Sequence, residues 1–155
     1  LHRAQAEAHP LVQAVLAVFF GRAAAYRRHV GWPPAYGAGG EIPRVDITYS
    51  HAGADGVGIR AFVQAGARGL IAAGMLPGMC TPADNVALDE AVAAGVVVVQ
   101  ASSGYCGGVV RRHELRQRGL LAAGHMRPRQ ARILLALALM TGADADAIQA
   151  LFDRP

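Results

Sequence analysis

The chain lacks an apolar run long enough to cross a bilayer. The longest candidate, Leu11 to Phe20, falls well short of the roughly 18 to 20 residues a spanning helix needs. Arg3 precedes it and Gly21-Arg22 follows it without a small-x-small cleavage site, so it does not read as a signal peptide either. No membrane partner is expected. Cysteine is scarce. Cys80 and Cys106 stand alone, which excludes a disulfide framework and a cysteine metal site, and leaves cytoplasm and periplasm equally open. The histidines, at 2, 9, 29, 51, 113 and 125, show no metal-ligand spacing, so neither metal nor cofactor is expected. Lysine is absent altogether, and all fifteen basic residues are arginine. The formal charge of +4 would suit nucleic acid only if the arginines formed a patch beside a binding motif. The dense spots are Arg27-Arg28, Arg111-Arg112 and the series through Arg116, Arg118, Arg127, Arg129 and Arg132. No motif accompanies them; they read as a solvated face, with no nucleic-acid partner.

What the chain does have is the composition of a packed domain. Hydrophobic residues make up 53% and charged ones 17%, enough to bury a core in 155 residues without staples. Residues 1 to 30 are alanine- and arginine-rich and read as helical. The stretch from Gly31 to Pro43 is dense in proline and glycine and reads as a linker. The division is therefore a helical extension with linker over 1–42 and an α/β domain over 43–155. The chain opens on Leu1 rather than methionine; a fragment, a processed product and an incomplete reading frame are all compatible with that.

Within 43–155 strands and helices alternate. Val45 to Ser50 is β-rich. Asp55 offers an N-cap to a helix carrying Ile59, Phe62 and Val63 on one stripe, and Gly66 ends it. Gly69 to Gly74 is a short buried strand. Thr81-Pro82-Ala83-Asp84 starts a helix with a cap, a proline at the first helical position and an acid in the first turn. Val96 to Val99 has the four consecutive valines of a strand covered on both faces, and is expected nearest the centre of the sheet. Leu120 to Ala123 is a fourth strand, Pro128 opens a long apolar helix closed by Gly142, and Asp146 to Phe152 is a last short helix. The pattern predicts right-handed βαβ units: a three-layer sandwich around a small parallel sheet of about four strands. Ligands of such sheets sit at the carboxyl ends of the strands, here Ser50 to Asp55, Gly74 to Thr81 and Gln100 to Gly108.

The chemistry at those ends is sparse. Gly53-Ala54-Asp55-Gly56-Val57-Gly58 lacks the spacing of a dinucleotide fingerprint, and its glycines are explained by a tight strand-to-helix turn. Ser50 and His51 are neighbours whose side chains point to opposite faces, so they do not make a nucleophile and base; His51 reads as structural. Glu114, in Arg111-Arg112-His113-Glu114-Leu115, is a carboxylate suited to an ammonium group, although an exposed pair with Arg111, Arg112 or Arg118 explains it as well. Taken by themselves, the residues define a parallel α/β domain without a nucleophile–base pair.

Pro43-Arg44-Val45-Asp46-Ile47-Thr48-Tyr49-Ser50-His51-Ala52-Gly53-Ala54-Asp55-Gly56 resembles the start of the C-terminal domain of bacterial-type L-asparaginases. Gly69 to Gly74 and Ala91 to Val99 resemble that domain's second strand and its helix into the valine strand. Pro128 to Leu139 is similar to the family's Asn-Pro-x-Lys-Ala-Arg helix, and Ile148 to Phe152 to its closing helix. The likeness runs in one register from about 43 to 153. It implies hydrolysis of L-asparagine, and sometimes of glutamine, to the acid and ammonia. The family's threonine nucleophile, second threonine, aspartate and lysine lie in the N-terminal domain. The threonines here, at 48, 81 and 141, have no Thr-Gly-Gly-Thr or Thr-Asp-Thr setting, and no lysine exists. The resemblance thus implies a C-terminal domain without its catalytic partner, inactive alone, with no catalytic residue of its own. Its implied partners are a second copy or a catalytic asparaginase N-terminal domain, with asparagine bound only in the assembled site. The positions it implies for substrate contact across a dimer interface are Gly53 and Glu114. Two loops depart from the family. Its Gly-x-Gly-Asn-Gly is Gly74-Met75-Leu76-Pro77-Gly78-Met79-Cys80 here, and its Ser-Ser-Arg is Gln100-Ala101-Ser102-Ser103-Gly104. The alternative reading is a non-catalytic relic or interaction module that pairs with a relative.

Overall fold

The structure, a computed structural model, describes residues 42–105 and 107–153. The helical extension and most of the linker expected over 1–42 lie outside the described residues, as does Cys106. The elements run β1 (Val45–Tyr49), α1 (Val57–Gln64), β2 (Gly69–Gly74), α2 (Pro82–Ala93), β3 (Val97–Ser102), α3 (His113–Gln117), β4 (Leu121–Ala122), α4 (Pro128–Met140) and α5 (Ala145–Phe152). The sheet order is β1-β2-β3-β4, and every pairing is parallel.

Strand pleating sends alternate residues to opposite faces, and two cores result. On one face Leu70, Ala72, Val98 and Ala122 pack with Ile59, Leu88, Ala91 and Leu115 beneath α1, α2 and α3. On the other, Val45, Ile71, Val99 and Leu121 pack with Leu134, Leu135 and Ala138 of α4 and with Ile148 and Phe152 of α5. Helices on both faces of a parallel sheet make the three layers the sequence pattern predicts.

Several boundaries differ from the expectation, each for a local reason. The valine strand starts at Val97 and runs on to Ser102, because its backbone stays paired with β2 as far as Gly74. It shares the centre with β2, which is buried at all six positions while Val97 is only partly covered. The fourth strand shrinks to Leu121–Ala122. The residue capping α1 is Gly56, at φ 78°, rather than Asp55; the Asp55 carboxylate still accepts the Val57 N–H at 3.0 Å. Thr81 caps α2 as expected, accepting the Asp84 N–H through Oγ1 at 3.0 Å, with Pro82 behind it. The Arg-rich stretch after β3 contains a helix, α3, which buries only Leu115.

The outer edge of β4 is closed by a side chain. Gln149 of α5, almost fully buried, accepts the Ala122 N–H through Oε1 at 2.9 Å and donates Nε2 to the Ala122 carbonyl at 3.1 Å. Its amide thereby stands in for the next strand, and Asp153 accepts from the same Nε2 at 2.8 Å. Gln149→Ala strands two buried backbone groups. It is expected to cost about 1–3 kcal/mol of stability, read as a lower urea midpoint at unchanged slope. A loss within error of zero would show that water replaces the amide there.

Candidate functional site

The carboxyl ends of the strands carry the loops 50–56, 75–81, 103–112 and 123–127. A buried polar cluster locks the first two together. The Ser50 hydroxyl, just past β1, donates to Asp84 Oδ2 at 2.6 Å and accepts the Thr81 N–H at 3.1 Å. Thr81 Oγ1 donates to the Ala54 carbonyl at 2.8 Å while it caps α2. Ser50 is 7% exposed and Asp84 3%, so these bonds work in a medium that screens little. The same start of α2 is clamped from α3. Arg118, just beyond it, donates to Asp89 at 2.8 Å, to Asn85 Oδ1 at 3.1 Å and to the Asn85 carbonyl at 3.0 Å.

Cys80 sits half-buried at this junction. Burial pushes its thiol up to about 11, and the neighbouring Asp84 charge adds to the rise; Ser50 and Arg118 oppose it. The thiol is protonated near neutrality and is no nucleophile there.

The 75–79 loop folds back on the strand it leaves. Met75 and Met79 form an antiparallel bridge, and a Cβ at Gly74 would collide with the Gly78 carbonyl, so only glycine fits that position. Gln100, buried at the end of β3, donates Nε2 to the same Gly78 carbonyl; its Oε1 has no partner among the described residues. The crown of this edge is apolar. Met75, Leu76 and Met79 of one loop, Tyr105 and Val110 of the next, and Tyr49 at the end of β1 are all exposed.

The structure separates the two positions named from the sequence. Gly53 lies in the β1–α1 turn at φ 87°, exposed, with open space where a Cβ would stand. Glu114 is the second residue of α3, exposed, in a helix that packs on β4. Gly53 follows an outer strand, β1, whereas α3 packs on the other outer strand, β4. Glu114 forms no ion pair with the described residues: Arg111 pairs with Asp146 at 3.4 Å and Arg118 with Asp89 at 2.8 Å. Ser50 and His51 act apart, the serine on Asp84 and the exposed imidazole at 3.0 Å from the Ala52 carbonyl. Two of the three threonine hydroxyls are committed: Thr81 as described, and Thr141 Oγ1, which donates to the Ala138 carbonyl at 2.7 Å; Thr48 lies within β1. Among the described residues no group of histidines, cysteines and acids is placed to hold a metal. Sequence reasoning missed the Ser50–Asp84 bond. The only signal for it was Asp84 itself, an acid buried in a first turn that its cap already explained.

A singly wound parallel sheet covered by three crossover helices on one face and two terminal helices on the other, with its polar groups at the carboxyl edge, defines a three-layer α/β domain. Residues 44–152 match the glutaminase/asparaginase C-terminal domain, and the chain belongs to that family. It is 36% identical over 113 residues to L-asparaginase 2 of Bacillus subtilis, covering 73% of this chain and 30% of that protein. To L-asparaginase 2 of Escherichia coli it is 33% identical over 116 residues, covering 74% and 33%. Among solved structures it resembles a probable cytoplasmic L-asparaginase from Campylobacter jejuni at TM-score 0.69 and 32% identity, over 72% of this chain and 35% of that one. The chain thus spans about a third of the length of the relatives it matches.

The polar cluster is open to direct test. Asp84→Ala leaves the Ser50 hydroxyl without its acceptor and is expected to cost about 1–3 kcal/mol in urea unfolding. In a double-mutant cycle with Ser50→Ala the two losses should not add. Additive losses would show that the residues act independently.

Proposed function

We propose that this domain forms part of an L-asparaginase-type amidohydrolase, converting L-asparagine and water to L-aspartate and ammonia, and that it has no activity alone. The family match over 44–152 carries this reading. Amide hydrolysis by the covalent route needs an activated hydroxyl. The 155 residues offer no lysine to activate one, and the buried Ser50 hydroxyl is bound to a carboxylate with no imidazole behind it. The domain's contribution is instead to complete a site held by a catalytic partner, a separate N-terminal domain or a full-length relative. The exposed methionine, leucine and tyrosine crown at the carboxyl edge is the surface that suits such docking, since lone domains seldom present contiguous apolar area.

Within that reading Gly53 and Glu114 contact substrate across the interface, Gly53 through its backbone and Glu114 by pairing with the ammonium group. A charge-assisted contact of that kind strengthens when the site closes and water leaves. Because the two stand on separate elements, the partner has to place the substrate within reach of both. The altered 75–80 loop, with methionines where the family carries a glycine–asparagine run, favours a second reading: an interaction module that docks on a relative without serving catalysis.

The purified chain is expected to release no ammonia from asparagine above the blank. Mixed with the catalytic N-terminal domain of a close relative, it should restore activity, and Glu114→Ala should lower the restored kcat/KM by about tenfold or more. Ammonia release by the chain alone that a mutation within it abolishes would refute the first claim. Equal rescue by wild type and Glu114→Ala would remove Glu114 from the site. Stable association without rescue would favour the docking module.

A further inference from the structure

A pocket of about 500 Å³ opens at the carboxyl edge on the α4 side of the sheet. Tyr49 and Ser103 enter it from the ends of β1 and β3, Tyr105 from the loop beyond, and Arg127, Arg129 and Gln130 from the start of α4. Its charge is one-sided. No acidic residue lines it, and the ion pairs among the described residues use Arg44, Arg60, Arg111 and Arg118, none of which belongs to it. Two guanidinium groups thus share one concavity with no carboxylate to offset them.

One of the two cations is fixed in place. Arg127 is held by the loop opposite: it donates to the Gly104 carbonyl at 3.1 Å and to the Tyr105 carbonyl at 2.6 Å, with its guanidinium 5.6 Å from the centre of the Tyr105 ring. Two of its five N–H groups are used, and three have no acceptor among the described residues. Gln130 is fixed as well, its Oε1 accepting the Arg127 N–H at 3.0 Å, which leaves the amide NH₂ as a donor. Arg129 makes no hydrogen bond or ion pair with the described residues. The rings and hydroxyls of Tyr49 and Tyr105 and the Ser103 hydroxyl complete a lining of cations, neutral donors and flat apolar surface. The volume falls in the range of small-molecule sites.

We propose that this pocket binds a small organic oxyanion, a carboxylate or a phosphate ester, gripped by Arg127 and Arg129 with its carbon skeleton against the tyrosines. Arginine forks match the paired oxygens of both groups, so the shared chemistry is the oxyanion. The site uses only this chain's own residues; its tyrosines also belong to the apolar crown, so the free chain is the form in which it is tested.

Calorimetric titration of the whole chain with phenyl phosphate and with benzoate tests it. A single saturable site for either probe is expected; which of the two binds tells phosphate from carboxylate. Arg129→Gln, which breaks no contact within the described residues, should weaken binding about tenfold, and unchanged circular dichroism would show that the fold is intact. Arg116→Gln, on the exposed side of α3, should leave binding unchanged. No saturable binding of either probe would overturn the proposal, and so would equal losses from Arg129→Gln and Arg116→Gln.

Discussion

A parallel sheet has to be covered on both faces, and the right-handedness of its crossovers decides how this chain does it. With strands added in the order β1-β2-β3-β4, each crossover lies on the same side, so α1, α2 and α3 all cover one face. The opposite face is left to whatever follows β4. Four strands at about 4.8 Å spacing are wider than one helix of about 10 Å diameter. Two helices are therefore needed, and two are supplied. The 13-residue α4 lies across β1, β2 and β3, and α5 covers β4. This accounts for the composition of α4, where Leu134, Leu135, Ala136, Leu137 and Ala138 are all buried, and for the small residues of β2, where Gly69 lets Leu135 approach the backbone closely.

The same constraint shapes the edges. A singly wound sheet ends in two unpaired strands, and this one treats them differently. β4 is closed at Ala122 by the Gln149 amide. At β1 the Arg132 guanidinium donates to the Val45 carbonyl at 2.6 Å, and Arg44, paired with Asp46, puts charge at the strand's entry. Exposed strand edges invite pairing with other chains, and charge and side-chain caps are the usual counter. Lateral strand addition is thus discouraged at both sides. The carboxyl edge differs from both sides, with loops that are apolar at their tips and polar at their roots. The roots are rigid because Ser50, Thr81 and Asp84 satisfy one another, so the exposed tips stand on a fixed base.

Most of the fold was legible because its signals are local. Proline after threonine marked the start of α2, a glycine after each apolar stripe marked its end, and the valine run marked an inner strand. What escaped was short or long-range. The helix α3 has five residues and one buried side chain, too little for an apolar period to register, so Glu114 read as a loop residue. Asp55 looked like a cap because acids usually are; the left-handed turn at Gly56 let the carboxylate do the same work from one position earlier. The bond from Ser50 to Asp84 joins residues 34 apart, and nothing in either neighbourhood announces it. The candidate site was legible only as an edge. Which residues converge there depends on loop conformations that strand and helix patterns do not encode.

The absence of lysine has a structural counterpart. A planar guanidinium can serve several acceptors at fixed angles, whereas an ammonium on a flexible stem cannot hold them in one plane. Arg118 spans a carboxylate, an amide oxygen and a backbone carbonyl; Arg127 spans two carbonyls and an aromatic ring; Arg44 reaches both Asp46 and the Ala65 carbonyl. In each case the arginine ties the end of one element to another. Among the described residues, the arginines that looked like a solvated face in sequence are thus divided between clamps of this kind and exposed charge.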